Sequence, residues 1–79
     1  MESYKIEFAK SVRKDFRGMP KKDARRILAC ISELADDPRT PGSKKLSGEE
    51  VWRIRIGQYR VIYEIHDNKI MVLILQGGQ

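Results

Sequence analysis

Cysteine and histidine occur once each in this chain, at Cys30 and His66. A lone cysteine cannot close an internal disulfide, and one cysteine with one histidine cannot supply the ligand set of a structural zinc. No stretch reaches the ~18 consecutive apolar residues that a membrane-spanning helix needs. The N-terminus also lacks the basic-then-apolar pattern of a secretory signal. These absences exclude a disulfide-stapled or metal-built mini-domain and a membrane span. The expectation is a cytoplasmic protein that uses neither metal nor cofactor.

What is present fits one small domain. Seventy-nine residues leave no room for a second domain, so residues 1–79 are read as a single unit. With 41% hydrophobic and 34% charged residues, the balance is that of a soluble globule and not of a disordered chain. Sixteen Lys and Arg against eleven Asp and Glu give a net charge of +5, the electrostatic footprint of a nucleic-acid binder.

Periodicity places the elements. Tyr4 to Phe8 alternates apolar and charged residues, which predicts a strand with one buried face. From Ala9 the spacing becomes helical through Val12 and Phe16, with Gly18 as the stop. Pro20 suits the start of a second helix, whose apolar stripe runs through Ala24, Ile27, Leu28, Ile31, Leu34 and Ala35 before Asp36, Asp37 and Pro38 end it. The short link predicts an antiparallel helical hairpin. Arg39 to Gly48 lacks periodicity and reads as a loop. Three strands follow, Val51–Ile56, Tyr59–His66 and Lys69–Leu75, joined by a Gly57-Gln58 turn of type II′ and an Asp67-Asn68 turn compatible with type I′. The fold class is therefore α+β, in the order β-α-α-β-β-β, with the helices on one face of a three-stranded antiparallel meander.

Two-residue turns fix the register of both hairpins. On the first, Arg55 faces Arg60 and Arg53 faces Ile62, so Arg53, Arg55 and Arg60 share one face while Trp52, Ile54, Ile56, Val61 and Tyr63 share the apolar one. On the second, the same arithmetic sets Leu75 beside Arg60. Like charges directly across a strand pair are destabilising by several tenths of a kcal/mol, to order of magnitude, so an anion is the simplest reason to keep the trio. Arg pairs bidentately with phosphate. A basic strand face can also be merely solvated. Lys44 and Lys45 in the preceding loop, and the scarcity of acids between Arg39 and Tyr63, favour a phosphate-binding face. Tyr59 flanks the turn and is open between packing and base stacking. The helices carry Lys10, Arg13, Lys14, Arg17, Lys21, Lys22, Arg25 and Arg26 on their polar face, which reads as a solubilising surface. His66 reads as an exposed polar residue, and Cys30 as a small core residue.

The run Lys45-Leu46-Ser47-Gly48, and above all the block RIRIGQYRVIYEI from Arg53 to Ile65, resembles the RelE/ParE toxin superfamily, its RelE branch in particular. The opening strand, the helical pair and Asp37-Pro38 fit as well, so the resemblance covers essentially the whole chain. It implies the toxin of a type II toxin–antitoxin system, a ribosome-dependent endoribonuclease that cuts messenger RNA by metal-independent attack of the ribose 2′-OH. It also implies a RelB-like antitoxin partner, and contact with operator DNA only through that complex. The family's third-strand basic positions fall on Arg53 and Arg55, and the arginine of its tyrosine-arginine pair falls on Arg60, which makes these the expected catalytic residues. Lys44, Lys45 and Tyr59 are the expected RNA contacts.

Two departures stand out. The best-described RelE toxins carry lysines where this chain has Arg53 and Arg55, and arginine is protonated up to about pH 12, so Arg55 suits charge stabilisation and not proton abstraction. RelE-like sequences also continue into a basic pair and a tyrosine where this one stops at Gln79. That ending sets a competing expectation, a weak or inactive toxin that retains antitoxin binding and autoregulation. The ParE branch supplies another, inhibition of DNA gyrase.

Overall fold

A computed structural model describes residues 3–46 and 50–77; Ser47 and Gly48 of the expected loop and motif, with Met1, Glu2, Glu49 and the final Gly78-Gln79, lie outside the described residues. In chain order the elements are β1 (Lys5–Phe8), α1 (Lys10–Arg17), α2 (Lys21–Leu34), β2 (Ser43–Lys45), β3 (Val51–Ile56), β4 (Tyr59–His66) and β5 (Lys69–Gly77). The strands form one mixed sheet in the order β1-β5-β4-β3-β2, with β1 parallel to β5 and the other neighbours antiparallel.

Both helices lie where their apolar spacing directs them. Val12 from α1 and Ile27, Ile31 and Leu34 from α2 are buried in one cluster with Ile56, Val61, Tyr63, Ile65, Ile70, Val72 and Leu75 of the sheet. The main tertiary contacts of the helices are with strands, α1 with β5 and α2 with β3, so each leans on the sheet before it leans on the other helix. Phe8 and Phe16 meet edge to face at 5.9 Å and join β1 to α1. Tyr63 is fully buried, and its hydroxyl donates to the Pro38 carbonyl at 2.6 Å, which ties the segment after α2 down onto the sheet.

The first hairpin has the expected register: Arg55 pairs with Arg60, Arg53 with Ile62 and Trp52 with Tyr63. Gly57 has φ +61 and Gln58 is not left-handed, as a type II′ turn requires. In the second turn only Asp67 has positive φ, so this is not a type I′ turn, which needs both central residues there.

Three expectations are corrected. Residues 43–45 form β2 and not loop: Ser43 pairs with Ile54, Lys44 with Arg53 and Lys45 with Trp52, so the sheet has five strands. Three residues are too short for a periodic signal, yet they satisfy the outward backbone groups of β3, which would otherwise form an open sheet edge. The Asp67-Asn68 turn type is the second. The third is the register of β5, which is regular up to Tyr63↔Val72 and then shifts to Ile62↔Ile74, Val61↔Leu75 and Arg60↔Gln76. Leu73 is the extra residue of this bulge. Without it Leu75 would lie beside Arg60 on the outer face; with it Leu75 is only 5% exposed in the core. Burying a leucine side chain is worth roughly 1.5–3 kcal/mol, which outweighs the disturbed ladder.

Candidate phosphate-binding face

The sheet face away from the helices holds the candidate site. Side chains alternate along each strand, so Lys44, Arg53, Ile62 and Ile74 form one row across β2, β3, β4 and β5. The neighbouring row is Arg55, Arg60 and Gln76. Four cations from three strands thus converge on two adjacent rows. Arg55, Arg60 and Lys44 are exposed, whereas Arg53 is half-buried and its Nε is buried without a hydrogen-bond partner. A buried donor left unpaired costs about 1–3 kcal/mol. Among the described residues none of the four forms an ion pair. Glu64, further along β4 on the same face, is taken up by His66, whose Nε2 lies 2.5 Å from its carboxylate oxygen. The arrangement suits a phosphate: guanidinium forks from two strands, one partly desolvated, with no carboxylate paired to them.

The structure does not bring all the expected contacts here. Lys45 pairs with Trp52 and so projects to the helix side of the sheet, although it follows Lys44 directly. Tyr59 also lies on the helix side, where it packs against the core and its hydroxyl donates to Asp23 of α2 at 2.6 Å. That hydrogen bond, with burial and the Asp23 charge, raises the Tyr59 pKa and holds the phenol neutral. Packing therefore accounts for Tyr59 in place of base stacking. Gln76, beside Arg60, is the site neighbour that sequence reasoning missed. The uniformly apolar run before it carries no sign of the bulge that sets it there.

A second polar cluster secures the sheet border next to the site. Glu50 accepts from Trp52 Nε1 at 2.8 Å and pairs with Arg39 at 3.1 Å, and the Arg39 guanidinium lies 5.9 Å from the Trp52 ring. The Trp52 hydrogen bond first, and Arg39 second, hold the Glu50 carboxyl below its usual value of 4.5. A depressed folded-state pKa means that the contribution is present above the unfolded value and is lost as pH falls through the folded one. Glu50→Gln should therefore melt below the wild type at neutral pH, with the gap closing under about pH 4. Thermal melts followed by the fluorescence of the single Trp52 would measure it, and a gap independent of pH would show that the Glu50 charge is not involved.

Two helices over one face of a five-stranded mixed sheet is a fold this chain shares with solved RelE toxins. RelE of Pyrococcus horikoshii OT3, solved in complex with RelB, has TM-score 0.86 and 31% identity to this chain, covering 95% of this chain and 94% of that one. Isolated E. coli RelE shares the fold at TM-score 0.84 and 18% identity, covering 98% and 86%. In sequence, the RelE1 chain of Methanocaldococcus jannaschii is 31% identical over 75 residues, 89% of this chain and 83% of that one. Residues 6–76 match the family described as the ParE toxin of the type II toxin–antitoxin system parDE. The chain belongs to the RelE/ParE superfamily of toxins from type II toxin–antitoxin systems.

Proposed function

We propose that this toxin is a ribosome-dependent endoribonuclease whose arginine face grips the messenger at the phosphate to be cut. The observation that carries this reading is the cross-strand pairing of Arg55 with Arg60, one row from Lys44 and Arg53, with none of them neutralised by an acid among the described residues. Cleavage by 2′-OH attack passes through a phosphorane that carries extra negative charge. Arg53, Arg55 and Arg60 stabilise that charge as fixed donors. They do not take the 2′-OH proton, because arginine stays protonated. Lys44 stands on the same face and adds its ammonium charge to the arginines; Lys45 stands on the other.

The partner in this reading is a RelB-like antitoxin that covers the basic face until it is released, and operator DNA is met only as part of that complex. The Pyrococcus horikoshii RelE solved with RelB supports the pairing. A target on the ribosome makes the chain cytoplasmic. No helix among the described residues is long and apolar enough to cross a membrane.

The match to the ParE family favours a second reading, inhibition of DNA gyrase. The two separate in one pair of assays. Primer extension on programmed ribosomes should show cuts at the A-site codon ending in 2′,3′-cyclic phosphate, while gyrase supercoiling is unaffected. Blocked supercoiling with intact message would replace the nuclease by the gyrase reading, and neither effect alongside tight antitoxin binding would leave only a binding module.

A further inference from the structure

Arg55 and Arg60 sit at the least supported end of their hairpin. They pair one step from the turn, with only Ile56 and Tyr59 between them and Gly57-Gln58. β2 flanks β3 no further than Ile54, so among the described residues no strand lies outside Arg55 and Ile56. On the other side β5 follows β4 to Tyr59, but only beyond the bulge at Leu73. The two arginines also repel each other across the strands, which favours fraying at the tip. Preorganised donors stabilise developing charge because they need no rearrangement when it appears, so this end has to be held still.

The support comes from the helix layer. Tyr59 immediately precedes Arg60 and lies on the opposite face of β4, where its hydroxyl donates to Asp23 Oδ2 of α2 at 2.6 Å, across 36 residues of sequence. Three residues further along α2, Arg26 lies against the turn itself: a Cβ on Gly57 would stand 3.1 Å from its Nη1 and 3.4 Å from its Cζ. Gly57 combines this close approach with a positive φ, and both require glycine. Asp23 and Arg26, with Ile56, Gly57, Gln58 and Tyr59, line a cavity of about 150 Å³ behind the tip.

Stability alone is a poor account of the Tyr59 hydroxyl. The ring packs against the core without it, and Asp23, in the first turn of α2, already faces the positive end of the helix dipole. What the hydroxyl adds is a fixed separation between α2 and the strand that carries Arg60.

We propose that Tyr59 and Asp23 are positioning residues for the arginine face: their hydrogen bond holds the β3–β4 tip from behind, so that Arg55 and Arg60 meet the phosphate in one geometry. This rests on the nuclease reading above and adds to it two residues that touch no RNA. The chain of contacts is short. Asp23 fixes the Tyr59 phenol, Tyr59 fixes the backbone at the start of β4, and that backbone sets Arg60 opposite Arg55.

The test pairs two measurements on the full chain: amide hydrogen exchange of the free protein by NMR, and single-turnover cleavage on programmed ribosomes at a temperature where every variant is folded. Tyr59→Phe keeps the ring and removes the donor. Losing a hydrogen bond to a charged group shifts a local equilibrium by about tenfold, so exchange at Ile56 and Tyr59 should quicken by that factor while Val61 in the core exchanges as in wild type. The maximal cleavage rate should fall about tenfold, with the half-saturating ribosome concentration changed by less than about twofold. Asp23→Leu should do the same, and the double variant should be no slower than either single one, because both remove one hydrogen bond. Asp23→Asn keeps an acceptor oxygen and should recover most of the rate lost in Asp23→Leu. Unchanged exchange at the tip in Tyr59→Phe would overturn the proposal, as would a loosened tip that cleaves at the wild-type rate. A raised half-saturating concentration with an unchanged maximal rate would also overturn it, by making Tyr59 a contact to the message. If Tyr59→Phe fails to fold, the Asp23 pair decides: equal rates for Asp23→Asn and Asp23→Leu overturn the hydrogen bond as the cause. A wild-type protein that cuts no message removes the nuclease reading, whereas the exchange data judge the brace without any cleavage.

Discussion

Replacing Arg60 with alanine is expected to slow cleavage of ribosome-bound message by about 10² to 10³, the usual effect of removing one preorganised donor from a developing oxyanion. Arg55→Ala should behave alike, because the two side chains pair across β3 and β4. The double variant should lose less than the product of the single losses, since in the proposed reading both act on one phosphate. Arg60→Lys should recover only part of the rate, because a point charge replaces a planar fork. The fold should not suffer. Removing one member of a like-charged cross-strand pair relieves repulsion of roughly 0.2–1 kcal/mol, so the melting temperature should hold or rise slightly at low salt. Single-turnover rates on programmed ribosomes together with thermal melts would measure both. An Arg60→Ala protein that cuts at the wild-type rate would remove Arg60 from the site, and one that melts many degrees lower would make it structural.

Tyr63→Phe should produce the largest loss of stability from the removal of one atom. The Tyr63 hydroxyl donates to Pro38 from a fully buried position, and its loss leaves the carbonyl without that donor. Orphaning a buried acceptor costs about 1–3 kcal/mol, and each kcal/mol lowers the melting temperature of a domain this size by roughly 4–8 °C. The pH dependence has a definite sign. Burial, ahead of all other causes, pushes the Tyr63 phenol above its ordinary value of 10.0. A raised folded-state pKa means that the wild-type advantage is complete below pH 10 and declines as pH rises beyond it, while the phenylalanine variant lacks this ionisation. Urea melts at neutral and alkaline pH would show the gap narrowing. Equal stability of the two proteins at neutral pH would mean that water replaces the hydroxyl and that the Pro38 bond contributes nothing net.

How far the sequence carries depends on the range of the interaction. The helices, β1, β3, β4 and most of β5 were legible because apolar spacing, Gly18, Pro20 and the Gly57-Gln58 turn act within a few residues. The convergence of Arg53, Arg55 and Arg60 was legible for the same reason: a two-residue turn sets the pairing, and a period of two then decides which side chains share a face. The features left to the tertiary structure depend on partners distant in sequence. β2 exists because β3 offers it an unpaired edge, and three residues with two lysines carry no strand pattern of their own. Only that pairing separates Lys44 from Lys45, sending one to the arginines and the other to the helix side. Asp23 lies 36 residues from Tyr59, so nothing local marks the tyrosine as a packing residue. The bulge at Leu73 is hidden because Met71 to Leu75 is apolar throughout and alternation has nothing to alternate. The core decides there, drawing Leu75 inward against Val61 and leaving Gln76 beside Arg60.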